Sequence, residues 1–178
     1  LGAGSVVFGK HVIADTLSHE SLRDCELRLM DIHPERLETA GMLARALNAE
    51  LESSATIIET RDRAQALDGA DFVICSVNVG GIDATRHDLL IPHKEFGLQQ
   101  TIGDSLGVGG IFRAARSIPV LLAIARDMER RCPDALLLNY TNPMAMNMLA
   151  LQRGSRIQSV GICHGLEYTA RTLRTYVD

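Results

Sequence analysis

Short apolar blocks alternate with stretches of helical spacing along this chain. Residues 26–32 (ELRLMDI), 56–59, 71–77 (DFVICSV), 136–139 and 158–162 read as strands. Between them, residues 6–17, 34–49, 61–67, 111–131, 143–153 and 166–177 carry helical patterns. In 34–49, Pro34 stands in the first turn, and Leu37, Met42, Leu43, Ala46 and Leu47 make the apolar side. Pro119 is expected to kink or divide the 111–131 helix. Asn142 suits an N-cap with Pro143 at the first helical position. Residues 82–97 are mixed and polar and suggest no element, and 99–110 (QQTIGDSLGVGG) reads as an ordered, glycine-rich loop. This β-α-β rhythm without alternating strands argues for an α/β fold: a Rossmann-like, doubly wound parallel sheet.

A length of 178 residues suits one domain with a proper core. The formal charge of −4 gives no basic patch and no argument for nucleic acid. No uninterrupted apolar run reaches ~18 residues, so no membrane span is expected. Cys25, Cys75, Cys132 and Cys163 are far apart and form no CxxC. A disulfide framework is therefore not expected, and a reducing cytoplasm is. The chain opens on LGAGS without Met, where a dinucleotide fold would have most of its first strand upstream. It therefore reads as the N-terminal part of a longer enzyme.

Several positions carry candidate chemistry. Gly2, Gly4 and Ser5 precede a helix, an arrangement that lets backbone approach a pyrophosphate. A plain turn explains the same residues, because the full GxGxxG is absent. Asp31 ends a strand and could accept hydrogen bonds from ribose hydroxyls, favouring NAD over NADP; a helix cap before Pro34 is the competing role. Asn78 and Gly80 follow the fourth strand, either beside the nicotinamide or in a turn needing positive φ. His87 and His93 are not spaced as a helical metal pair and are expected to be solvated or capping. Arg86 suits a clamp for a sugar hydroxyl or carboxylate. Thr141-Asn142-Pro143 and Cys163-His164-Gly165 each follow a strand's carboxyl end, the edge where open α/β sheets bind ligands.

Taken together, LGAGS, the Asp31 strand end, TIGDSLGVGGIFRAARSIP, LNYTNPMAMN and VGICHG resemble glycoside hydrolase family 4, the NAD- and Mn-dependent glycosidases. Within it they look closest to the α-galactosidase branch; α-glucosidases and α-uronidases share the Cys-His pair. The resemblance implies a small glycoside substrate and NAD and Mn2+ as cofactors. It also implies an oxidation–elimination route: hydride leaves C3, a base removes the C2 proton, the glycosidic oxygen departs, water adds and hydride returns. By the same resemblance Cys163 is a metal ligand and His164 the acid for the leaving oxygen. Asn142 holds substrate hydroxyls, Arg86 is a weaker substrate match, and Asp104 supports a tyrosine base. That base and a second, histidine ligand fall beyond this chain, since Tyr168 and Tyr176 stand too near the motif. Residues 1–178 are thus expected to form the NAD-binding domain with half of the catalytic site, inactive alone, without the C-terminal catalytic domain. Family members are commonly homo-oligomers. Two other readings are an NAD-dependent 2-hydroxyacid dehydrogenase, which needs no metal, and a non-catalytic nucleotide-binding regulatory domain.

Overall fold

The computed structural model describes residues 1–177, with the backbone alone at positions 6–8, 164 and 166–168. Two compact units emerge: Leu1–Val77 with Asp127–Ala135, and Asn78–Arg126 with the residues from Leu136 onward.

In the first unit, β1 (Glu26–Met30) and β2 (Thr56–Thr60) pair in parallel, with Glu26 opposite Thr56 and Met30 opposite Thr60. Helices α1 (Val6–Ser18) and α2 (Pro34–Glu50) supply Ile13, Leu17, Leu37, Ala40 and Ala44 to a core completed by Leu29 and Ala55. The buried side of α2 is Leu37, Ala40, Gly41 and Ala44; Met42 is 55% exposed. The expected apolar stripe was therefore only partly right. Small residues face inward because close helix packing needs them more than it needs bulk. Helix α3 (Arg63–Leu67) is capped by Asp62, which accepts from the Ala64 N–H at 2.8 Å, and leads to β3 (Phe72–Cys75). Residues 1–3 run between β1 and β3. The Gly2 and Ala3 N–H groups donate to the Met30 carbonyl at 2.9 and 3.1 Å. Leu1 bonds the Ile74 carbonyl at 2.7 Å and accepts from the Ser76 N–H at 3.0 Å, the pattern of a parallel ladder.

In the second unit, residues 81–96 form a helix, α4 (Gly81–Phe96), where the pattern suggested no element. Its buried positions are Asp88 and Pro92, while Leu89, Leu90 and Ile91 face out. The expected helical signal is inverted here, so polarity masked it. The long helix α5 (Gly107–Arg131), whose residues from Asp127 on belong to the first unit, starts four residues earlier than expected and runs through Pro119 undivided. It has the length and composition to cross a membrane, contrary to the expectation from uninterrupted runs, because its arginines are spaced among apolar residues. Its buried positions Ala114, Ser117, Leu121, Ile124, Ala125 and Met128 recur at helical spacing, the stripe of a helix packed against protein. Strands β4 (Leu136–Asn139) and β5 (Ser159–Gly161) pair in parallel, Leu137 opposite Ser159 and Asn139 opposite Gly161. Helix α6 (Met144–Gly154) connects them, and α7 (His164–Arg174) follows β5.

Candidate functional site

In the first unit the glycine loop is pinned by Asp31. This carboxylate is 8% exposed. Its Oδ2 accepts from the Gly4 N–H at 2.8 Å and its Oδ1 from the His33 N–H at 2.9 Å. A Cβ on Gly4 would stand 2.6 Å from Arg36 Cβ and 2.7 Å from Asp31 Oδ2, so only glycine allows this approach. Asp31 therefore braces the loop against the end of β1, and only its remaining lone pairs can serve a ribose. Ser5 is the N-cap of α1 but makes no side-chain cap, and the first turn holds no acid. A helix N-terminus without a side-chain cap or an acid suits an anion. A narrow, mostly apolar crevice lined by Gly4, Ser5, Ile13, Arg36 and Leu43 adjoins the loop.

In the second unit, Asn78 and Gly80 form the turn into α4. The Asn78 carbonyl accepts from the Gly81 N–H at 3.1 Å, and Gly80 is the N-cap with φ +81°. The turn reading of these residues is thus realised in the geometry. Arg86 is exposed and pairs only loosely with Asp83, at 3.5 Å. Its position on α4 is well off the face of Asp88 and Pro92. His87 and His93 are exposed, as expected.

Asp104 and Asn142, singled out separately in the sequence, meet. Asn142 Nδ2 donates to Asp104 Oδ2 at 3.3 Å. Asn142 is thereby drawn away from capping α6, whose N-cap is Pro143. Two residues not foreseen complete the cluster. Arg113 Nη1 donates to the same Asp104 oxygen at 2.9 Å. One turn further along α5, Arg116 grips buried Asp88 with both nitrogens, at 2.8 and 2.5 Å, which raises the Arg116 pKa further. In the sequence FRAARS these arginines look like an exposed helix face; only the acids on α4 and the 101–106 turn give them partners. The glycines of GVGG also find a reason. A Cβ on Gly109 would lie 2.2 Å from the Gly103 carbonyl oxygen and 2.7 Å from that of Asp88, so α5 can pack on this loop only without one.

The Asp88–Arg116 pair should carry stability. Asp88→Ala in the full-length protein would leave the guanidinium with only the Phe112 carbonyl, at 3.3 Å, and with its Nε already lacking a partner. We expect a loss of about 1–3 kcal/mol, read as a lower Tm; an unchanged Tm would show the pair to be idle.

The loop carrying Asn142 is clamped from beneath. Asn139 Nδ2 and Asn147 Nδ2 both donate to the Thr141 carbonyl, at 3.2 and 2.9 Å, and the Thr141 N–H donates to Asn139 Oδ1 at 3.3 Å. Both asparagines are fully buried. The Asn142–Pro143 peptide is cis. Cys163 is the N-cap of α7 but makes no side-chain cap, and its thiol is exposed. His164 opens α7, and its side chain lies outside the described residues. Because β4 and β5 are parallel and in register, both loops leave the same end of that strand pair. No disulfide joins any of the four cysteines, and burial pushes the Cys25 and Cys132 thiols up. Among the described residues no group of three His, Cys, Asp or Glu could hold a metal ion.

A family model described as Family 4 glycosyl hydrolase matches residues 1–178. The chain is 44% identical over 174 residues to an α-galactosidase of Bacillus subtilis, covering 97% of this chain and 40% of that protein. It is 36% identical over 175 residues to an α-glucosidase of Erwinia rhapontici, covering 97% of this chain and 38% of that protein. A solved 6-phospho-α-glucosidase from gut microorganisms, in complex with NAD and Mn2+, superposes with a TM-score of 0.79 at 25% identity, covering 91% of this chain and 37% of that one. The chain thus spans about 40% of the length of the curated α-galactosidase that it matches. With its parallel α/β architecture and its glycine loop, it belongs to the family 4 glycosyl hydrolases.

Proposed function

We propose that the full-length protein hydrolyses α-galactosides with NAD and a divalent metal, by oxidation at C3 and elimination across C1–C2. The observation that supports this reading is the meeting of Asp104 with Asn142 beside a strand end, in a chain of the family 4 glycosyl hydrolases. When bound, NAD supplies a hydride acceptor and donor, and a divalent cation supplies charge that stabilises a developing oxyanion. The Gly2–Ser5 loop and the N-terminus of α1 hold the diphosphate, and Asp31 fixes the loop. Asn78 and Gly80 flank the nicotinamide end. Asn142 orients a sugar hydroxyl, and Asp104 orients Asn142. His164 supplies the proton to the departing glycosidic oxygen, a task suited to an imidazole. Cys163 contributes a thiolate to the metal. Manganese ordinarily prefers oxygen and nitrogen, so this role rests on family likeness. The α-glucosidase relative makes α-glucosides the second substrate to try.

The test is cleavage of aryl α-galactoside, α-glucoside and α-glucuronide in D2O, with NAD+, Mn2+ and a thiol reductant. Fastest cleavage of the galactoside, dependent on NAD+ and Mn2+ and with deuterium appearing at C2, is expected. Cleavage without deuterium, or without NAD+, would overturn the route.

A further inference from the structure

The amide of Asn142 has a polarity, set by the carboxylate that it meets. Asn142 Nδ2 and Arg113 Nη1 converge on one oxygen of Asp104, at 3.3 and 2.9 Å. The other oxygen accepts from Ser105 Oγ at 3.3 Å. A carboxylate only accepts hydrogen bonds. The Asn142 NH2 must therefore turn toward Asp104, which leaves Oδ1 as the end free for a ligand. Of the pair, Arg113 is the better shielded, with its side chain 13% exposed against 35% for Asp104. Its bond is charge-assisted, the stronger kind. Arg113 also stands on α5, which Arg116 ties to α4 through Asp88, so its own position is supported.

We propose that Arg113 is a positioning residue: acting through Asp104, it locks Asn142 with its carbonyl oxygen outward, so that Asn142 recognises a sugar hydroxyl as a hydrogen-bond donor. This rests on the glycosidase reading above. Without Arg113, the Asp104 carboxylate loses its stronger partner and is free to turn into solvent. The amide then has no fixed face and loses its preference for a donor. A lysine at 113 keeps the charge and one donor, and only one guanidinium nitrogen reaches Asp104, so it should serve in part.

Fluorine in place of a hydroxyl cannot donate, so it separates the two faces of the amide. The experiment uses the full-length protein and the sugar whose aryl α-glycoside the unaltered protein cleaves. That sugar and its monodeoxy and monodeoxyfluoro derivatives are measured as competitive inhibitors. At one hydroxyl, the deoxy and fluoro forms should bind equally poorly, about tenfold weaker than the parent, and Asn142→Ala should remove that difference at the same hydroxyl. Arg113→Met should raise KM about tenfold with a smaller change in kcat and flatten the hydroxyl preference there, and Arg113→Lys should restore most of both. Fluoro derivatives that bind like the parent at every position would overturn the proposal, even if Arg113→Met fails to fold. So would an Arg113→Met protein with unchanged KM and preference. Absence of any glycoside cleavage by the unaltered protein would instead sink the glycosidase reading, before any variant is made.

Discussion

Cys163→Ala in the full-length protein is expected to lose turnover by about a hundredfold or more, and to lose its response to added Mn2+, while still binding NAD. The thiol is exposed at the head of α7, directly after β5. No other cysteine can replace it. Cys75 and Cys132 are buried, and burial raises the thiols of Cys25 and Cys132, which keeps them protonated. The substitution removes no core packing, so folding should be intact and the loss should be chemical. Turnover titrated with Mn2+, alongside NAD binding, makes the measurement. A Cys163→Ala protein that still responds to Mn2+ with near-normal turnover would take the metal role away from this residue.

The second large effect falls on the cofactor side. Gly4→Val places a branched side chain where even a Cβ would stand 2.6 Å from Arg36 Cβ and 2.7 Å from Asp31 Oδ2. Either the loop lifts away or the end of β1 shifts, and the Gly4–Asp31 hydrogen bond breaks in both cases. Overpacking of this kind costs about 1–3 kcal/mol, and the displaced loop no longer presents the N-terminus of α1. We expect NAD affinity to fall beyond detection, with a lowered Tm. Gly4→Ala should do the same to a lesser degree. Ordinary NAD affinity in Gly4→Val would mean that the loop does not hold the dinucleotide.

Strands and their following loops were legible because buried strands announce themselves as apolar blocks, and because Gly2, Gly4, Asn142 and Cys163 stand at their ends. Helix α4 was not. It buries Asp88 and Pro92 and exposes Leu89, Leu90 and Ile91, so a reading by apolar periodicity sees its face reversed. The same gap hid the phase of Arg86, which proves to be on the solvent side. Asp104 and Asn142 could be named from their motifs, but their meeting is tertiary. Arg113 and Arg116 carried no signal at all. An arginine on a long helix is ordinarily solvated, and only the fold shows which carboxylates wait for it. The stripe of α2 failed for a related reason: Ala40, Gly41 and Ala44 are buried by closeness, not by hydrophobicity.

Asp31 has one further implication, for engineering. Exchanging one nicotinamide cofactor for its phosphorylated form is commonly sought by replacing the acid at this strand end. Here that acid also holds the Gly4 and His33 backbones. In the proposed cofactor site, a redesign that removes it would take away the brace of the glycine loop along with the acid meant to select the ribose. Redesign of preference in this protein has to keep the carboxylate and work from its neighbours, and Arg36, already on the rim of the same cleft, is the place to start.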